Sequence, residues 1–190
     1  MKVITTLLFL VVTGTACFTG KPLGYFEVDP YARQIDRFTD ATITLVADPG
    51  ILEAHLIDKQ PNKYRHFTHF RTTLLRNWEK LLQPHFRAVH VADAPAPEGY
   101  SLLIHRMDAR IEQPVEGSGL HEDHLFTAVF DYDLELLYDG RAIDNARGRA
   151  RGIRRFGDVM FWDTATISAF EYALEEAFAK LFVDEAVSEQ

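Results

Sequence analysis

Five arginines fall close together near the C-terminal third of the chain, at Arg147, Arg149, Arg151, Arg154 and Arg155. The first three alternate, so an extended strand puts them on one face about 6.6 Å apart. Guanidinium groups present forked donors that match carboxylate and phosphate oxygens. Such a row either forms a solvated ladder of cross-strand ion pairs or docks anionic groups, such as lipid phosphates or an acidic protein surface. Register decides what it faces. A three-residue turn Tyr138-Asp139-Gly140, with Gly140 left-handed, sets Leu137 opposite Arg141 and Asp131 opposite Arg147. The basic row then shares a face with Asp131 and Asp133. Gly148 and Gly152 within the same stretch signal a bulge or the close approach of another backbone, which adds weight to docking.

Other chemistry is sparse. His66-x-x-His69 and His121-Glu122-Asp123-His124 suit zinc by ligand type, but a usable site needs three or four converging ligands, so His121 and His124 are weak metal candidates only. His66 and His69 read as boundary residues of a helix. Nucleophilic catalysis lacks its parts: the one Cys is Cys17, and Ser101, Ser118, Ser168 and Ser188 sit in no Gly-x-Ser-x-Gly elbow. Asp131 and Asp133 have the even spacing of a solvated strand face, and no Gly-rich phosphate loop precedes a helix. These absences point to a non-enzymatic protein with no catalytic residue and no cofactor.

The arginines need a sheet to hold them. Residues 41–47 are β-branched and alternate, and Asp48-Pro49-Gly50 ends them. Apolar positions at Phe67, Phe70, Leu74, Trp78, Leu81 and Leu82 predict a helix over residues 63–82, stopped by Pro84. A short strand is expected at 88–91 and a central strand, covered on both faces early on, at 100–111. The strongest strand covers 126–138, with an apolar or aromatic residue at every even position. Residues 142–156 return as its partner, and a last helix, capped by Asp163 or Thr164, carries Ile167, Phe170, Leu174, Phe178 and Leu181 on one stripe. The aromatics Phe67, Phe70, Trp78, Phe170, Phe178 and Phe182 read as core. The class is α+β, a two-layer sandwich of one mostly antiparallel sheet with two amphipathic helices on its apolar face.

The first 16 residues are an address rather than part of that sandwich. Lys2 opens a ten-residue apolar run, and the small residues Thr13-Gly14-Thr15-Ala16 follow; the run is too short for a bilayer span, which takes roughly 20 residues. Residues 1–16 read as a signal peptide, 17–40 as a lipidated Cys and a Gly- and Pro-rich tether, and 41–190 as a single domain. Gly14 and Ala16 also satisfy an ordinary signal peptidase, which would release a soluble periplasmic or secreted chain with a free N-terminal thiol. The whole chain has 190 residues, 20 Lys and Arg against 28 Asp and Glu, and a net charge of −8. That acidity excludes a general nucleic-acid binder, whose footprint is basic. A single Cys excludes an internal disulfide framework.

The segment ending Gly14-Thr15-Ala16-Cys17, with Gly14 where the lipobox usually carries Leu, resembles a bacterial lipoprotein signal, in which the thiol is acylated before cleavage. Phe18 after the Cys, rather than Asp, favours the outer membrane within such a sorting scheme. With the strand, helix, strand, hairpin, helix order, the chain resembles the small periplasm-facing lipoproteins that serve envelope machines. Examples are the lipoprotein that plugs the lipopolysaccharide translocon and the auxiliary lipoproteins of lipid-transporting ABC systems. The resemblance implies a membrane anchor at Cys17, an envelope protein as partner and a non-enzymatic accessory role in assembly or transport. An anionic lipid is a further partner the arginines would suit. The alternatives are a periplasmic binding protein for a small ligand or metal, lidded by residues 116–124, and an unrecognised hydrolase.

Overall fold

The computed structural model describes residues 23–32, 35, 38–60, 63–112, 125–155 and 161–183. In chain order these form β1 (Thr42–Ala47), β2 (His55–Gln60), β3 (Lys63–Phe67), α1 (Phe70–Leu82), β4 (Ala88–Val91), β5 (Tyr100–Glu112), β6 (Leu125–Tyr138), β7 (Arg141–Arg155) and α2 (Phe161–Phe182). One five-stranded sheet has the order β4-β1-β5-β6-β7. β1 pairs in parallel with both its neighbours, whereas the much longer β5, β6 and β7 pair antiparallel and supply most of the sheet. Both helices pack on one face. Phe130 of β6 meets Phe70 of α1 and Phe170 of α2, at 6.3 and 5.4 Å between ring centroids, so a single α+β core lies between the layers as expected.

α2 owes its position to two rows of residues spaced by four. Ala165, Ala169, Ala173 and Ala177 are fully buried, and beside them Phe170, Leu174, Phe178 and Phe182 fill the interior. The small row lets the helix backbone rest on β7. A Cβ added at Gly152 would lie 2.2 Å from the carbonyl oxygen of Ala165 and 2.6 Å from the nitrogen of Ala169; at Gly148 it would meet the Tyr132 hydroxyl at 2.3 Å. The close backbone approach read at Gly152 is therefore the chain's own helix, whereas Gly148 leaves room for the Tyr132 and Lys180 side chains; both lie on the side away from the arginines and do not bear on docking. Lys180 closes the end of this seam, donating to the Tyr132 hydroxyl at 2.9 Å, to the Arg147 carbonyl at 3.2 Å and to Glu176 at 2.8 Å. Burial, only partly offset by that lysine, pushes the Tyr132 phenol up to about 12.

Three sequence expectations change. Residues 63–67 are a strand of the β2–β3 hairpin rather than the start of the first helix. His69, in a left-handed conformation with φ 61°, separates the two elements. Glu53 replaces the missing side-chain cap: its carbonyl accepts the Phe70 N–H at 2.8 Å, and its carboxylate accepts the Thr72 hydroxyl at 2.8 Å. The Phe67-to-Phe70 spacing looked helical because both rings enter the same core, 5.1 Å apart, one from a strand and one from a helix. α2 begins at Phe161, so Asp163 and Thr164 lie within its first turn rather than capping it.

The third change concerns the tether. Among its described residues, Val28 and Phe38 are buried, and Phe26 lies 5.5 Å from Phe67 and 5.4 Å from Phe170. Asn77, buried on α1, accepts the Val28 N–H at 2.8 Å and donates to the Phe26 carbonyl at 3.0 Å. Phe26, Val28, Phe38 and Leu23, which bridges to Phe67 in parallel, are therefore packed on the core that residues 41–183 build. Aromatic burial outweighs the turn-rich composition that suggested a tether joining the domain edge.

The hairpin is tied to the sheet by a histidine. β1 pairs with β5 only as far as Ile104, and farther along β5 the Ala109 N–H donates to His55 Nε2 at 3.2 Å while the ring stacks on Phe70 at 4.8 Å. Burial lowers the His55 pKa against the opposing pull of Asp108, and only the neutral ring can accept that bond.

Two outcomes follow. Gly152→Ala should destabilise the fold by about 1–3 kcal/mol through overpacking against α2, read as a lower urea midpoint. The stability due to neutral His55 is complete above its unfolded value near 6.5 and is lost as the pH falls through its lower folded value. His55→Gln, which does not titrate, should therefore lose less of its urea midpoint than the parent between about pH 7.5 and pH 5.

Candidate binding face

The sheet face opposite the helices carries the charged residues of β5, β6 and β7. Three consecutive rows cross these strands: Arg106, Asp133 and Arg147; Asp108, Asp131 and Arg149; Arg110, Val129 and Arg151. Their alignment depends on two irregularities. In β5 the register shifts between Ile104 and Arg106, which moves Arg106, Asp108 and Arg110 onto the open face. In the β6–β7 hairpin it shifts between Leu136 and Leu137, leaving Ile143 without a partner in the register.

That second shift corrects the expected pairing. The turn has two residues, with Asp139 and Gly140 at φ 49° and 73°, so Tyr138 pairs with Arg141. The bulge then adds one residue to β7. Both departures push the same way, so the offset totals two positions: Asp131 faces Arg149 rather than Arg147, and Asp133 faces Arg147. Because two is even, the arginines keep the face of the aspartates.

Asp131 is the hub. Its side chain is 14% exposed; Oδ1 accepts Arg149 Nε and Oδ2 accepts Arg110 Nη1, each at 2.6 Å. Burial alone would raise its pKa, but the two guanidinium groups outweigh that and hold it below the ordinary carboxylate value. Arg147 pairs with Asp133 at 2.7 Å while its own side chain stays 77% exposed, and Arg106 pairs with Asp108. Arg106, Arg110, Arg147 and Arg149 border an open basin of about 700 Å³ with Asp131 and Asp133 in it. Val129, between Arg110 and Arg151 in the register, is fully buried although it belongs to this face.

Arg147, Arg149 and Arg151 thus lie together, and the sequence reading missed Arg106 and Arg110. The signal was present as the alternation Arg106-x-Asp108-x-Arg110, but the bulge beside it broke the simple parity of the strand. Arg154 and Arg155 face Phe126 and Leu125 in the register; their side chains lie outside the described residues, as do Cys17, His121, His124 and the whole 113–124 connection. His69 is exposed at the start of α1. Ser101 is buried, its hydroxyl accepting the Ala96 N–H at 3.0 Å. Among the described residues no three His, Cys, Asp or Glu side chains are grouped to hold a metal ion, and no helix is long and apolar enough to cross a membrane. Chemically, the face offers oriented cationic donors, and its carboxylates are engaged with them.

No family model matches the sequence, and no curated protein matches it either. Solved structures do resemble it. A Xanthomonas campestris protein of the family DUF330 superposes with a TM-score of 0.53 at 13% identity, over 87% of this chain and 97% of that one. Rare lipoprotein B from Shewanella oneidensis gives a TM-score of 0.42 at 11% identity, over 78% and 96% of the two chains. A minor lipoprotein from Acinetobacter baumannii also gives 0.42, at 8% identity over 75% and 93%. The fold of this chain is that of the Xanthomonas campestris protein, over nearly the whole length of both.

Proposed function

We propose that the chain is an exported lipoprotein, anchored through acyl chains on Cys17, that serves as a non-enzymatic accessory subunit of a cell-envelope assembly or transport complex. It meets its partner with the open face of β5, β6 and β7. One observation carries this reading: a domain whose whole chain is acidic gathers five arginines on the face its helices leave uncovered, and holds four of them with carboxylates. Oriented charges of this kind steer association and fix register. The sequence around Cys17 supports the anchor, since several acyl chains on one residue give stable membrane attachment where one chain gives only marginal binding.

The experiment is co-purification of the tagged chain from its own membranes in mild detergent, with the accompanying proteins and lipids identified by mass spectrometry. Arg147→Ala/Arg149→Ala/Arg151→Ala should lose the stoichiometric companion yet keep its thermal midpoint within a few degrees, because Asp131 keeps Arg110 as a partner and cross-strand pairs with exposed cations contribute only about 0.2–1 kcal/mol each. A companion retained by the triple variant would rule out this face as the dock. Cys17→Ser should move the protein from the membrane fraction to the soluble fraction; unchanged membrane recovery would rule out the anchor.

A further inference from the structure

Within the open face, we propose that Arg106, Arg147 and Arg149 form a cradle for one phosphate group, seated above Asp133. This deepens the docking reading and rests on it for the role of the face. Arg106 and Arg147 flank Asp133 in a single row, so their backbones stand about 10 Å apart, two strand spacings. Arginine side chains are long enough to close that gap from both sides. Arg149 lies two residues farther along β7 on the same face and completes a triangle.

Each of the three is already oriented. Arg106 is held by Asp108, Arg147 by Asp133 through one Nη, and Arg149 by Asp131 through its Nε. A carboxylate at that position occupies one edge of the guanidinium and leaves donors on its other edges. The side chains remain 57%, 77% and 49% exposed, so those donors reach solvent across the basin. The entropy of fixing three long side chains is thereby partly met before a ligand arrives, which is how preorganisation improves affinity.

Arg106, Arg147 and Arg149 each engage one aspartate that does not exhaust the guanidinium donors, so the cradle meets an anion by directed hydrogen bonds rather than by excess charge. Asp131, held below the ordinary carboxylate value by Arg149 and Arg110, stays ionised at neutral pH and keeps Arg149 in place. A tetrahedral phosphate can direct separate oxygens at three guanidinium groups, whereas a carboxylate has only two oxygens to share.

The test uses the membrane-extracted protein in a neutral detergent, titrated calorimetrically with inorganic phosphate, glycerol phosphate and water-soluble dihexanoyl phosphatidic acid at constant ionic strength. Saturable binding is expected, weakened at least about tenfold in Arg147→Ala/Arg149→Ala and only partly recovered in Arg147→Lys/Arg149→Lys, which keeps the charge but loses the fork. Tighter binding of the phosphatidic acid than of the two soluble phosphates identifies a lipid headgroup as the source. Equal or weaker binding identifies a soluble phosphate compound. Absence of saturable binding in the parent, or equal affinity in a folded alanine variant, overturns the cradle. A companion protein that still depends on the arginines while phosphate does not bind leaves the docking face standing and removes only the cradle.

Discussion

Strict side-chain alternation along β7 couples the core to the charged face. Ala146, Gly148, Ala150 and Gly152 turn toward α2, and Arg147, Arg149 and Arg151 turn away. Neither set can be moved without the other, because a slip of one residue exchanges the faces. Such a slip would drive guanidinium groups into a seam where β7 carries only alanines and, at Gly148 and Gly152, has no room for a Cβ. The unpartnered Ile143 is the counterweight: a two-residue turn by itself would give the wrong parity, and the extra residue restores it. The position of α2, the burial of Tyr132 and the pairing of Asp131 with Arg149 all follow from that one insertion.

The energetics divide unequally between the faces. The helix side holds a fully buried set of aromatics and leucines, and that apolar area is the driving force for folding. The open side is a lattice of ion pairs whose cations are mostly exposed and whose separate contributions are small. Its value is directional. Asp131 fixes two guanidinium groups at once, so the lattice presents an ordered pattern of charge where unpaired side chains would present a diffuse one. A face that contributes little to stability can be altered without loss of the fold, which makes it open to specialisation.

Much of this was legible in the amino-acid order. The even positions of β6 and the four-residue spacing in α2 announced a strand and a helix because each has one wet and one dry face. The aspartate face of the arginines was legible for the same reason. Residues 55–67 were not, since Phe67 continues the spacing of α1 although it belongs to β3. Leu23 to Phe38 showed no period either: Phe26, Val28 and Phe38 enter the core as single plugs and not as one side of a regular element. The register missed by two because turn length and bulge each contribute one residue, and neither leaves a mark in the hydrophobic pattern. Arg106 and Arg110 escaped because a bulge hid the parity of β5.

The bridge between Leu23 and Phe67 sets a length scale. Six residue steps separate Cys17 from Leu23, and even fully extended they span no more than roughly 20 Å. For a chain anchored at Cys17, the base of the domain is therefore kept within that height of the bilayer. Such a protein cannot sample the depth of the compartment; it diffuses in a thin layer and meets other molecules in two dimensions. Weak contacts then suffice, because confinement to a surface raises the local concentration of anything else held there.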